Sequence, residues 1–161
     1  MKNLTRPQLA AAIHESGHAA VAIALGQRVR TITVSGEGEG LVRCYCRTPQ
    51  SRLAIGREIF VCLAGPIAEG LFLGTFDAQG SLIDFRMAAA WARELGAKPA
   101  DALPKFAEGL AQSIRQPAVK RAIWALAVQL LKRGQLAGAE VESICRTLNV
   151  RGKVGKLWQV R

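Results

Sequence analysis

Two histidines four residues apart, with a glutamate after the first, are the strongest constraint on how this chain can fold. The stretch is His14-Glu15-Ser16-Gly17-His18, and its two histidines are the only ones in the chain. Four-residue spacing puts both imidazoles on one face of a helix, about one turn apart. Both can then reach a single zinc ion, with Glu15 displaced to the side where a metal-activated water would lie. The residues around the motif suit such a helix. Thr5 followed by Arg6-Pro7 is a helix start, and Leu9, Ile13, Ala20, Val21 and Leu25 form an apolar face that Gly26 terminates. Gly17 costs about 1 kcal/mol in a helix relative to alanine, a cost that is tolerable if another backbone element packs close at that point.

A chain of 161 residues that is half hydrophobic is long enough to bury a core, and the expectation is one domain over 1–150 with a basic tail over 151–161. The start, MKNLTRPQLAAAIHE, lacks the apolar run and cleavage site of a signal peptide. After Glu15 the longest uncharged stretch, Ser16 to Gln27, is 12 residues, against the 18 or more that a bilayer requires. On this reading there is no transmembrane segment, and an intramembrane protease is excluded. Cys44, Cys46, Cys62 and Cys145 contain no C-x-x-C pair, and they read as reduced, mostly buried thiols of a cytoplasmic protein.

The net charge is +10, and Arg146, Arg151, Lys153, Lys156 and Arg161 fall in the last 16 positions without an acid among them. Such a tail suits an acidic partner, nucleic acid or anionic lipid, but no nucleic-acid motif accompanies it. Arg151-Gly-Lys-Val-Gly-Lys156 is not a phosphate loop, because Leu157 stands where a hydroxyl is needed.

Periodicity predicts strands over 29–35 and 41–47, joined by the glycine cluster 36–40 as a hairpin. A helix is expected from about Ser51 to Leu73, kinked or broken at Gly65-Pro66. Further helices are expected over 81–95, 101–114, 118–132 and 137–148, with Asp101 as a helix cap. The architecture is therefore mostly α (α+β), a helical domain with a small β element beside the metal helix.

A catalytic zinc takes three protein ligands and leaves a position for water. No histidine is left for the third ligand, and the carboxylates Glu58, Glu69, Asp77 and Asp84 are the candidates. Asp77, in Phe-Asp-Ala-Gln-Gly, also fits a turn. Asp84 lies in the first turn of an apolar helix, where an acid is also favoured by the helix N-terminus.

Four segments resemble the peptidase domain of FtsH-type ATP-dependent zinc metalloproteases. Ile13-His-Glu-Ser-Gly-His-Ala-Ala-Val-Ala22 is similar to that family's H-E-A-G-H-A signature, with Ser16 replacing alanine. Leu63-Ala-Gly-Pro-Ile-Ala-Glu-Gly-Leu71 resembles its G-G-R-A-A-E-E segment, with Pro66 and Gly70 in place of an arginine and a glutamate. Gly80 to Arg93 and Leu126 to Val141 resemble two later stretches, in the family's order, so the likeness covers roughly 8–148. The resemblance implies His14, His18 and Asp84 as zinc ligands, Glu15 as the catalytic glutamate and Glu69 as an acidic residue behind the ligands.

The function expected is an ATP-independent zinc metalloendopeptidase acting on unfolded or flexible polypeptides, with Glu15 activating the zinc-bound water. Leu41, Val42, Arg43 and Cys44 are the candidate edge against which substrate would add as a strand. The resemblance leaves open a homo-oligomer and an acidic partner for the tail. Two competing functions remain at this point. One is a catalytically weak or inactive peptidase-fold module acting as a binding or regulatory partner. The other is a basic nucleic-acid binder.

Overall fold

A computed structural model describes residues 4–44 and 49–154. The fold is mostly helical, with one small antiparallel sheet. In chain order the elements are α1 (Arg6–Ala24), β1 (Val29–Val34), β2 (Gly40–Cys44), α2 (Arg52–Leu73), α3 (Leu82–Glu94), α4 (Pro99–Arg115), α5 (Pro117–Arg133), β3 (Gln135–Ala137) and α6 (Gly138–Thr147).

The central element is α1. Its start is fixed by a capping box: the Gln8 amide donates to the Thr5 hydroxyl, and the Thr5 amide donates to the Gln8 side chain. It stops where Gly26 takes φ +84° and the Gly26 and Gln27 amides donate back to Ile23 and Ala22. Every residue from Ala12 to Leu25 is buried. The helix is alanine-rich there, so neighbours approach it closely on several sides: α2, α5, α6 and the sheet all pack on it.

The helix α2 begins at Ser51, whose hydroxyl accepts the Ala54 amide, and ends at Gly74 in the left-handed conformation. It runs from Arg52 to Leu73, as expected, with Pro66 inside it, so of the kink or break expected at Gly65-Pro66 there is no break. The reason the pair is there lies in the packing against α1, described below.

In the sheet the strand order is β2-β1-β3, all antiparallel. The expected hairpin is present, and Val29, Ile32 and Val34 of β1 turn inward to the core. The third strand was not anticipated. It is three residues long, too short for any periodicity, and it is set by Gly134 (φ +73°), which turns the chain straight out of α5. Helix α4 begins at Pro99, so Asp101 sits inside its first turn and is not its cap, which is Lys98.

Contacts continue past residue 150. Val150 and Val154 are buried, and the Gly152 amide donates to the Ala24 carbonyl. The described start of the basic segment, 151–154, is thus tied to the end of α1 by the Gly152 amide. Lys156 and Arg161 lie outside the described residues, as do Tyr45 and Cys46. Cys62 and Cys145 are buried and Cys44 partly so. Among the described residues no helix is long and apolar enough to cross a membrane.

Candidate metal centre

His14 and His18 face α2 across the closest seam of the fold. A Cβ on Gly17 would stand 2.7 Å from both the Ala64 carbonyl oxygen and the Ala68 Cβ. One on Gly65 would stand 2.5 Å from the Nε2 atoms of both histidines. Glycine is therefore required on each side of the seam: Gly17 lets the helices meet, and Gly65 leaves the space into which both imidazoles point.

The same face of α2 orients the two rings. Val61, Gly65 and Glu69 are four residues apart and form one line along the helix. At one end of that line His18 Nδ1 donates to the Val61 carbonyl at 2.6 Å. At the other, His14 Nδ1 lies 2.6 Å from Glu69 Oε1. A carbonyl can only accept, so the proton of a neutral His18 is on Nδ1 and its Nε2 presents a lone pair. Burial of Glu69 (4% exposed) leaves its carboxylate to this task and one other: its Oε2 accepts the Asp77 amide at 3.0 Å.

That second bond ties in the loop that delivers Asp84. After Gly74 the chain turns at Asp77, whose side chain accepts the Gln79 amide and whose carbonyl accepts the Ser81 amide. Asp77 is the turn residue that its surroundings suggested. The turn brings the first turn of α3 over the histidines. Asp84 Oδ2 is 3.0 Å from His14 Nε2 and 3.5 Å from His18 Nε2, and the two Nε2 atoms are 2.9 Å apart. Glu58, the remaining carboxylate candidate, lies elsewhere and accepts from Gln27.

Two imidazole nitrogens and a carboxylate oxygen thus converge on one point. Acceptors this close repel unless a proton or cation lies among them. Ligands at 2.0–2.1 Å from a tetrahedral metal are about 3.3 Å apart, close to the separations found here. His14, His18 and Asp84 could therefore hold a metal ion.

The charges fit that arrangement. Burial lowers the basicity of His14, but its hydrogen bonds to Asp84 and Glu69 outweigh this and hold it up at about 9. Burial alone would raise Asp84, yet the two histidines bring it down to about 2. Glu15 is next to this cluster and buried. Burial pushes its carboxyl above the usual range, against the pull of His18 and His14.

The edge strand meets Glu15. A Cβ on Gly40 would lie 2.5 Å from Glu15 Oε1, so the first residue of β2 covers this carboxylate. Among the described residues β2 pairs only with β1, which leaves its outer edge free, and Leu41, Val42, Arg43 and Cys44 lie along it. A cleft of about 540 Å³ opens beside His14 and Glu15, between the start of α1, the hairpin turn at Gly38–Gly40 and the loop after α2.

The Val61 carbonyl, Gly65 and Gly40 have roles that the sequence reading missed. A backbone acceptor has no sequence signature. Gly65 did have one: it precedes Glu69 by one helical turn and so shares its face.

No curated protein matches the chain. Residues 6–83 match the profile of the Peptidase M50B-like family. The matched span contains His14, Glu15, His18 and Glu69 and ends one residue before Asp84, to which the family match therefore does not speak. Likeness to a peptidase family and a His-His-Asp cluster able to hold a metal together support a metallopeptidase-type domain.

Proposed function

We propose that the chain is a zinc metallopeptidase of the FtsH type that hydrolyses peptide bonds in unfolded or flexible polypeptides without ATP. The observation that carries this reading is the convergence of His14 Nε2, His18 Nε2 and Asp84 Oδ2 beside the buried carboxylate of Glu15. His14, His18 and Asp84 would hold the zinc, Glu69 and the Val61 carbonyl would keep the rings turned toward it, and Glu15 would act as the base. The order of the parts supports the FtsH likeness: two histidines on one helix, an acid on the next, and the third donor in the first turn of the helix after that.

Bound zinc would supply Lewis acidity, polarising the scissile carbonyl and making water acidic enough to react near neutral pH. The chain's own groups supply the rest. Glu15 takes a proton from the attacking water and passes it to the leaving amine. A carboxyl raised by burial takes up a proton more readily than an exposed one, which suits the first of these steps. The free edge of β2, with Gly40 over Glu15, suits a substrate held as an added strand. An extended strand has no folded structure to lose, which is why the substrates named are unfolded or flexible.

The test combines metal content with cleavage of an unfolded casein substrate. Wild-type protein should bind one zinc and cleave, with activity removed by a chelator. Glu15→Gln should keep the metal and lose about 10²–10⁴ in rate. Cleavage by Glu15→Gln as fast as by wild type would overturn the reading. Wild-type protein that binds zinc and substrate but never cleaves would instead favour a binding module.

A further inference from the structure

We propose that Arg6 is a specificity-determining residue that binds a substrate carboxylate about three residues from the scissile bond. The proposal rests on the peptidase reading above and adds to it a substrate class.

The cleft beside His14 and Glu15 runs along the first two turns of α1. Arg6, Ala10 and His14 are spaced four apart, and so are Pro7, Ala11 and Glu15; all six line the cleft. Two neighbouring stripes therefore lead from the reacting groups to the start of the helix. Eight residues of helix cover about 12 Å. An extended peptide advances about 3.3 Å per residue, so this length takes between three and four residues. Ala10 and Ala11 contribute only methyl groups and leave the path open. One wall is backbone: the hairpin turn lies directly on Pro7, since a Cβ on Gly38 would come within 2.9 Å of the Pro7 Cβ. Leu73 and Phe76 are on the opposite wall.

Arg6 closes the far end. Its Nη2 donates to the Thr75 hydroxyl at 3.2 Å, which ties the guanidinium across to the opposite wall. A guanidinium has five N–H donors, and this bond uses one. Among the described residues Arg6 makes no ion pair. It is also the one lysine or arginine among the described residues lining the cleft, where Glu15, Glu39, Glu69 and Asp77 are the acids. Glu69 and Asp77 are occupied by His14 and by backbone amides. Glu39 is exposed on the hairpin turn and would repel an anion passing it. An anion is therefore disfavoured along the cleft and favoured at its end, which makes the preference one of position and not of overall charge. The positive end of the α1 dipole adds to it.

The shared chemistry is a carboxylate, from an acidic side chain or from a free C-terminus. The experiment uses a flexible amidated peptide in which a single glutamate is moved one position at a time, with cut sites read by mass spectrometry. With zinc-loaded wild-type protein the cut should follow the glutamate, staying about three residues from it, with about a tenfold preference over the peptide lacking it. A peptide ending in a free carboxylate at that distance, compared with its amide, shows whether a C-terminus serves as well. Arg6→Gln should lose the tracking, cutting the glutamate-containing peptides no better than the glutamate-free one, while Arg6→Lys should keep part of it. Cut sites indifferent to the glutamate, or an unchanged pattern in Arg6→Gln, would overturn the proposal. If wild type cuts none of the peptides, anisotropy with the zinc-loaded Glu15→Gln protein decides separately. Glutamate-dependent binding that Arg6→Gln abolishes sustains the Arg6 site while the peptidase reading fails; its absence ends both.

Discussion

The α1–α2 seam and α3 meet at the same cluster of donors but are built in opposite ways. The seam is part of the core: His14, Glu15 and His18 are buried between residues with little or no exposure, and Gly17 and Gly65 remove every spare atom between the two helices. Helix α3 is peripheral. Only Ala88 and Ala92 of it are buried, and Ile83, the residue before Asp84, is 68% exposed. Two donors are thus fixed by packing, whereas the third arrives on an element held by few buried contacts. Regions of that second kind open at lower free-energy cost than a core. The difference teaches which parts of the site are set by the fold itself and which depend on the bonds of a single loop.

Removing donors one at a time should expose the difference most strongly. His18→Ala takes away a pre-placed ligand and leaves the others on two separate elements, so stoichiometric zinc and hydrolysis should both be lost. Asp84→Ala leaves the histidine pair intact on α1, with its rings still held by Glu69 and Val61. It should weaken zinc less than His18→Ala does, while still impairing turnover. Metal titration of the two variants gives the order directly, and a larger loss in Asp84→Ala would break the contrast drawn here.

Glu69 joins the two regions, because one carboxylate orients His14 and also holds the Asp77 amide of the loop leading to α3. Glu69→Gln keeps one carbonyl oxygen and puts an amide nitrogen where the other acceptor was, so it can satisfy only one of the two donors. Zinc affinity should fall about 10–100-fold, as for other partners that orient a metal-binding imidazole. If amide hydrogen exchange also speeds up in 75–84 but not in α1, the loop is what the second oxygen holds. Unchanged zinc affinity in Glu69→Gln would show that packing alone positions His14.

Much of this was legible in the sequence, for reasons that differ by residue. The helix carrying His14 and His18 could be read because cap, apolar face and glycine stop agree within one segment. Gly17 pointed to a close neighbour but could not say which, since pairing α1 with α2 depends on contacts more than forty residues apart. Spacing left Asp84 one of four carboxylates, and only the FtsH resemblance singled it out; in the structure Glu58 accepts from Gln27, Asp77 holds its own turn and Glu69 lies behind His14. At Gly65-Pro66 a break was open as well as a kink, and no break occurs. Local rules make the pair a helix breaker, but here the glycine makes room for two imidazoles and the proline is carried within the helix. The strand β3 left no trace because three residues cannot display a period.

The smallest effects concern stability, and they test the seam against the periphery without touching a donor. Replacing a helical glycine by alanine gains about 1 kcal/mol from backbone entropy. At Gly70, also in α2, an added Cβ meets nothing within 4 Å, so Gly70→Ala should realise that gain. At Gly17 the same methyl would stand 2.7 Å from the Ala64 carbonyl oxygen and from the Ala68 Cβ, both on a helix with no room to retreat. Overpacking of this kind costs about 1–3 kcal/mol, so Gly17→Ala should come out neutral to destabilising. On α3, Ile83→Ala removes an exposed side chain and should stay within about 0.5 kcal/mol of wild type. Denaturation midpoints of the three variants, taken on metal-free protein, separate these cases. A stabilised Gly17→Ala would mean that the helices can part at the histidines, and that the rigid half of the site is no more fixed than the half that α3 supplies.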